Sequence, residues 1–280
     1  MTAIRDAANE QGINWNGQAG YAWVEAQDLL DRLFTPIEGL LANAAEAASA
    51  RRVLDVGCGT GSTTRAIARL PGVRCVGIDI SEPMLALARR QAEANDLAAR
   101  FLCGDAQSYG FEAGSFDMIV SRFGVMFFDD PVKAFANLRR AARPGASLRI
   151  VAWRSADENP FMTVAERAAA PFLPNLPART ADGPGQFAFA DPDRVHRILE
   201  ESGWKGIDIQ PLDVPCTMPE GDLVRYFTLL GPLGRVLGEV DGGTRARIVD
   251  AVRAAFDPFV QGADVRFTAA CWTIGAKAPA

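Results

Sequence analysis

Val53-Leu54-Asp55-Val56-Gly57-Cys58-Gly59-Thr60-Gly61 decides the fold. An apolar, β-branched run ends abruptly in three glycines at alternate positions, and Ser62-Thr63-Thr64 then leads into Arg65–Leu70 with helical spacing. Strand, tight turn and helix start make a nucleotide-binding βα corner. Glycines suit it because the turn visits backbone conformations that side chains resist and because a ligand must approach the backbone closely. The helix that follows offers free N–H groups to a polar or anionic ligand. The dinucleotide fingerprint G-x-G-x-x-G competes for this reading, but its third glycine would fall at position 62, which is Ser62, and here the third glycine is one residue early.

An acid also stands inside the strand end, at Asp55. Leu54-Asp55-Val56-Gly57-Cys58-Gly59-Thr60-Gly61 resembles motif I of the class I S-adenosylmethionine-dependent methyltransferases. That resemblance implies a Rossmann-like α/β sheet of seven strands in the order 3-2-1-4-5-7-6, the last strand antiparallel. It implies S-adenosyl-L-methionine as cofactor and S-adenosyl-L-homocysteine as product.

Downstream segments carry the resemblance on. Val73–Asp79 is a second apolar strand ending in an acid, at the distance from the glycines that ribose recognition requires, so Asp79 can accept from both ribose hydroxyls; a surface acid is the plainer alternative. Ile80 follows, and Ser81 caps a helix with Glu82 and Pro83 in its first turn. Met84 faces either the adenine or the helix packing. Arg100–Cys103 runs into Gly104-Asp105-Ala106, where the family places an acid on the adenine amine and a backbone N–H on a ring nitrogen. Phe116–Ser121 is the fourth strand, and its carboxyl end is where open α/β sheets place their chemistry. The cofactor set is therefore Trp15, Trp23, Asp55, Gly57, Cys58, Gly59, Gly61, Asp79, Ile80, Met84, Gly104, Asp105, Ala106, Ser121 and Phe123.

The spacing predicts a helix over 132–143, stopped at Arg143-Pro144-Gly145, and a fifth strand at Ser147–Trp153. Ala146 stands where the family commonly has a second glycine. Residues 1–50 read as a helical leader, with a turn at Trp15-Asn16-Gly17 and a break at Pro36; Trp15 and Trp23 are packing anchors or part of a lid that keeps water from the reacting sulfonium. Residues 51–154 are the core, and 155–190, punctuated by prolines and phenylalanines, read as a cap insertion. Residues 191–215 return to the core, with Asp191 capping a helix and a sixth strand at 206–214. Residues 216–262 are a second insertion, and 263–280 hold the final strand and tail.

The chain of 280 residues, 49% hydrophobic and 22% charged, is ample for one core with a cap. A net charge of −5 with no Lys/Arg block argues against nucleic acid as a partner. The polar N-terminus and the lack of a long apolar run argue for a cytoplasmic protein with no membrane span; a monomer or homodimer is the expected state. Five scattered cysteines, with no C-x-x-C pair, read as buried reduced thiols, and no metal-ligand spacing is present.

Methyl transfer from a sulfonium needs an aligned nucleophile, a dry site and sometimes a base. The candidates at the end of the fourth strand are Arg122, Asp129 and Asp130. Arg122 binds an acidic or carbonyl group of the acceptor or forms a salt bridge at the rim; Asp130 before Pro131 also suits a helix cap. His196, the only histidine, lies among Arg194, Arg197 and Glu200 on a solvated helix face. Phe123, Phe127, Phe128, Trp153 and Tyr226 favour a flat, apolar small-molecule acceptor such as a quinone or phenol. The expected function is methyl transfer to an O, N or C atom of such a metabolite. An NAD(P)-dependent oxidoreductase and a catalytically silent cofactor-binding module are the alternatives.

Overall fold

β-Branched and apolar runs become the strands of one mixed sheet, seen in a computed structural model that describes residues 11–176 and 183–280. Five parallel strands come first: β1 (Arg52–Val56), β2 (Arg74–Asp79), β3 (Ala99–Cys103), β4 (Phe116–Arg122) and β5 (Ala142–Trp153). β6 (Lys205–Pro219), a two-residue β7 (Val260–Gln261) and β8 (Asp264–Lys277) follow. The sheet order is β3-β2-β1-β4-β5-β8-β6, with β8 antiparallel to both neighbours and β7 paired to β8. This is the expected order, with the short β7 added.

β1 is buried at Val53, Leu54, Asp55 and Val56, as a central parallel strand covered on both faces must be. The covering helices are α1 (Gln18–Glu25), α2 (Gln27–Ala47), α3 (Ser62–Ala68), α4 (Glu82–Ala94), α5 (Pro131–Ala141) and α7 (Pro192–Glu201). α6 (Val164–Ala169) of the first expected insertion packs on α10 (Gly242–Ala255) of the second, with α8 (Leu223–Leu229) and α9 (Gly231–Val236) beside them. Residues 177–182 of the first insertion and the leader's first ten residues lie outside the described residues.

Four local expectations are corrected. Pro36 does not break the leader: it sits inside the 21-residue α2. Leu29, Leu33, Ile37, Leu41 and Ala45 hold one buried stripe across it, and Pro36 faces solvent, where water can satisfy the carbonyl its ring leaves free. Trp15 and Asn16 end a helical stretch over 11–16, and only Gly17 is the turn. The Arg143-Pro144-Gly145 break is shorter than expected, because Ala142 already pairs with Phe116 and the irregular start of β5 absorbs it. Cys103 is exposed, while the other four cysteines are buried; all five are free thiols. Among the described residues, no helix is long and apolar enough to cross a membrane.

Candidate functional site

The carboxyl ends of β1, β2 and β4 meet at the glycine corner. Gly57, Gly59 and Gly61 all have positive φ (65°, 54° and 80°). Gly57 is fixed by a close backbone approach: a Cβ there would lie 2.5 Å from Gly124 Cα, and one on Gly124 would lie 2.5 Å from Val56 O. The loops after β1 and β4 therefore touch backbone to backbone, which only glycines permit. At Gly59 a Cβ would meet nothing nearer than Met84 Sδ at 3.6 Å, so there the missing side chain leaves open space.

Asp79 ties the corner to β2. Its Oδ2 accepts from Gly59 N at 2.8 Å and its Oδ1 from Ser81 N at 2.9 Å. Burial raises its pKa, opposed by the N–H groups of Ser81, Gly59 and Ile80. On β3's side, Gly104 N donates to Asp79 O at 2.9 Å, and Asp105 Oδ1 accepts from Gln107 N at 2.9 Å.

These groups border one cavity of about 470 Å³. Of the expected cofactor set, Trp15, Trp23, Gly57, Gly59, Asp79, Ile80, Met84, Gly104, Asp105, Ala106 and Phe123 line it. Asp55, Cys58, Gly61 and Ser121 do not, and each has a different task. Asp55 is buried and accepts from Thr64 Oγ1 at 2.6 Å, locking strand to helix. Burial pushes its pKa up to about 6, with the Thr64 hydrogen bond and Arg122 opposing. The Cys58 thiol packs against Gly77, 2.7 Å from where a Cβ would stand. Gly61 admits Phe101 and Ala88, and Ser121 Oγ donates to Val56 O at 2.7 Å while accepting from Gly124 N.

The leader closes one side. Ser81 Oγ is not a helix cap, as the sequence suggested; it donates to Trp15 O at 2.6 Å. Asn16 caps instead, its Oδ1 accepting from Glu82 N at 2.9 Å and its Nδ2 donating to Ile80 O at 2.9 Å. Trp15 meets Trp23 and Phe127 edge to face, with centroids 6.1 and 5.3 Å apart. Farther along, Gln18 Nε2 donates to Arg235 O of α9. No local sequence pattern marks Asn16 as a cap, because the two groups it bonds at α4, Ile80 O and Glu82 N, lie more than sixty residues away.

The aromatic half opens from the end of β4. Phe123, at φ 65°, stacks on Trp153 with centroids 4.3 Å apart and planes 6° from parallel. A bulky residue in the left-handed region is strained, and such strain persists where the surroundings impose it. Phe34 meets both rings edge to face, and Phe161 meets Trp153. Phe123, Phe127, Phe128, Trp153 and Tyr226 all reach the wall. Sequence reasoning missed Phe34, Phe161, Phe227, Gln107 and Gly124 there. Of these, only Gly124 carried a local signal, a glycine just past a strand end.

Arg122 and Asp129 also line the cavity. Asp130 does not: its Oδ1 accepts from Lys133 N at 3.0 Å and caps α5. His196 is exposed on α7.

Among known proteins, the methyltransferase domain family matches residues 53–145. A demethylmenaquinone methyltransferase of Thermus thermophilus is 42% identical over 102 residues, 36% of this chain and 46% of that protein, so this match spans less than half of the relative. A demethylmenaquinone methyltransferase of Deinococcus radiodurans is 33% identical over 166 residues, 56% of this chain and 69% of that protein. In fold, the chain is similar to the YcgJ protein from Bacillus subtilis, with a TM-score of 0.57, 19% identity, and coverage of 87% of this chain and 98% of that one.

Proposed function

The chain belongs to the class I S-adenosylmethionine-dependent methyltransferases, and we propose that it methylates an O, N or C atom of a planar, apolar aromatic metabolite of quinone or phenol type. What carries the acceptor reading is the continuity of one cavity, from the glycine corner to the stacked Phe123 and Trp153. The Thermus and Deinococcus relatives, named for a demethylmenaquinone, support the same class.

The residues present suit the cofactor. Gly59 leaves space where a side chain would stand, and Asp79 keeps a half-buried carboxyl on the wall beside it. In our reading Asp79 accepts from the ribose hydroxyls, Gly104, Asp105 and Ala106 border the adenine, and Ile80 and Met84 pack on its face. Asp55, Cys58, Gly61 and Ser121 act behind the wall by holding the corner's shape. The cofactor supplies an electrophilic methyl group on a sulfonium. The chain's part is to align the acceptor with it and exclude water, which the leader and the segments 155–176 and 216–262 do as a roof. Asp129 is the wall carboxylate placed to take a proton when the acceptor reacts from a neutral hydroxyl. Five free thiols fit a reducing, cytoplasmic setting.

The test is S-adenosylhomocysteine release from S-adenosylmethionine, with hydroxylated naphthalenes and with small aliphatic amines as acceptors. Turnover with the naphthalenes and none with the amines is expected. The opposite pattern contradicts the aromatic assignment.

A further inference from the structure

Two arginines lie close to the glycine corner, and they are handled in opposite ways. Arg65 is buried and spent: Nη1 donates to Thr60 O at 2.6 Å and Nη2 pairs with Asp31 at 3.2 Å. Arg122, the last residue of β4, lines the cavity yet makes no hydrogen bond or ion pair with any described residue. Its Nη1 is buried without an acceptor, and its guanidinium centre sits 5.8 Å from the centroid of the Phe34 ring. Two acids are near enough to act on its charge. Asp55 is bonded to Thr64, and Glu38 is half-buried with its pKa raised by burial and opposed by Arg122. Neither closes a bridge to the arginine.

Arg122 is half-buried, and a guanidinium N–H withdrawn from water without an acceptor is costly, so proteins normally give such a group a carboxylate or another anion. The Phe34 ring offers only partial compensation. The same ring packs on Phe123 and Trp153, so the bare cation stands at the edge of the aromatic wall. Its planar fork matches two oxygens in one plane, as a carboxylate presents, or an ionised hydroxyl beside a ring carbonyl.

We propose that Arg122 is the anion anchor of the acceptor site: the enzyme selects planar aromatic acceptors that carry an ionised oxygen group, and Arg122 grips that group while the ring lies against Phe123 and Trp153. This rests on the aromatic-acceptor reading above. The methionine carboxylate of the cofactor offers the same chemistry from a second source, and the test separates the two.

The probes are 2-naphthoate and its neutral isostere 2-naphthamide, titrated calorimetrically into the protein saturated with S-adenosylhomocysteine, for wild type, Arg122→Gln and Arg122→Lys. Charge-assisted hydrogen bonds predict that wild type prefers naphthoate by about 10-fold or more. In Arg122→Gln that preference disappears, while affinities for naphthamide and for S-adenosylhomocysteine hold within about 2-fold. Arg122→Lys, which keeps the charge without the fork, retains only part of the preference and serves alone if the glutamine variant does not fold. Equal binding of both probes by wild type, or a preference that survives in Arg122→Gln, overturns the proposal. So does a 10-fold loss of S-adenosylhomocysteine affinity in either variant, which would place the arginine on the cofactor's carboxylate. A wild type that binds S-adenosylhomocysteine but neither probe removes the aromatic-acceptor reading itself, and this proposal with it.

Discussion

Asp55 stands at the glycine corner without lining its cavity. It is buried at the end of β1, and its one side-chain hydrogen bond among the described residues comes from Thr64 on α3. With a folded pKa of about 6 against 3.8 when unfolded, the folded state binds the proton more tightly. Its contribution to stability is therefore complete below about pH 4 and is lost as pH rises through 6, an effect on the order of 2–3 kcal/mol. Asp55→Asn keeps an acceptor for Thr64 and removes the titration. Melting curves across pH should show wild type losing stability relative to Asp55→Asn between about pH 4 and 6, with a constant gap above. A gap that does not change with pH contradicts the burial argument. The motif acid, expected among the cofactor's contacts, instead braces strand against helix.

At the scale of elements, the leader is bound to the core through α4. Asn16 satisfies the first free N–H of that helix, and Ser81, the residue whose position suggested a cap, instead donates its hydroxyl to the leader's backbone. Removing a cap costs about 1 kcal/mol, which in a chain of this size lowers Tm by roughly 2–4 °C. Asn16→Ala should melt that much lower in a thermal scan, and S-adenosylhomocysteine affinity should weaken with it, since Trp15 stands on the cavity wall beside the bond. An unchanged Tm would mean the leader is not held by this contact. Pro36 teaches the complementary lesson. A proline on the solvent side of a helix with a continuous buried stripe is carried through by tertiary packing, which outweighs the loss of one backbone bond.

For the whole molecule, the first four parallel strands were readable because each is a short run with a chemistry-bearing residue at or beside its end: Asp55, Asp79, the Gly104-Asp105 pair and Ser121. The order of the sheet followed from the resemblance those residues carry. What could not be read were contacts between distant segments. Asn16 on the α4 terminus, Gly124 against Gly57, and Phe34 over Arg122 each join residues with no shared periodicity. The exposure of Cys103 was hidden for a related reason: β3 is the sheet's outermost strand, so its end is not covered as β1's is. The aromatic wall was half legible, because aromatic residues near a strand end suggest a pocket, whereas the rings that α2 and the first insertion bring to it do not. Everything at the glycine corner turns on the identity of the nucleoside ligand it accepts. The direct measurement is calorimetric titration with S-adenosylhomocysteine, with NADH as control and Asp79→Ala as the comparison protein. One site per chain, no heat with NADH, and an affinity about 10-fold or more lower in Asp79→Ala are predicted, the last from loss of charge-assisted bonds. Binding of NADH in place of S-adenosylhomocysteine, or an Asp79→Ala protein that binds as wild type does, would contradict the account.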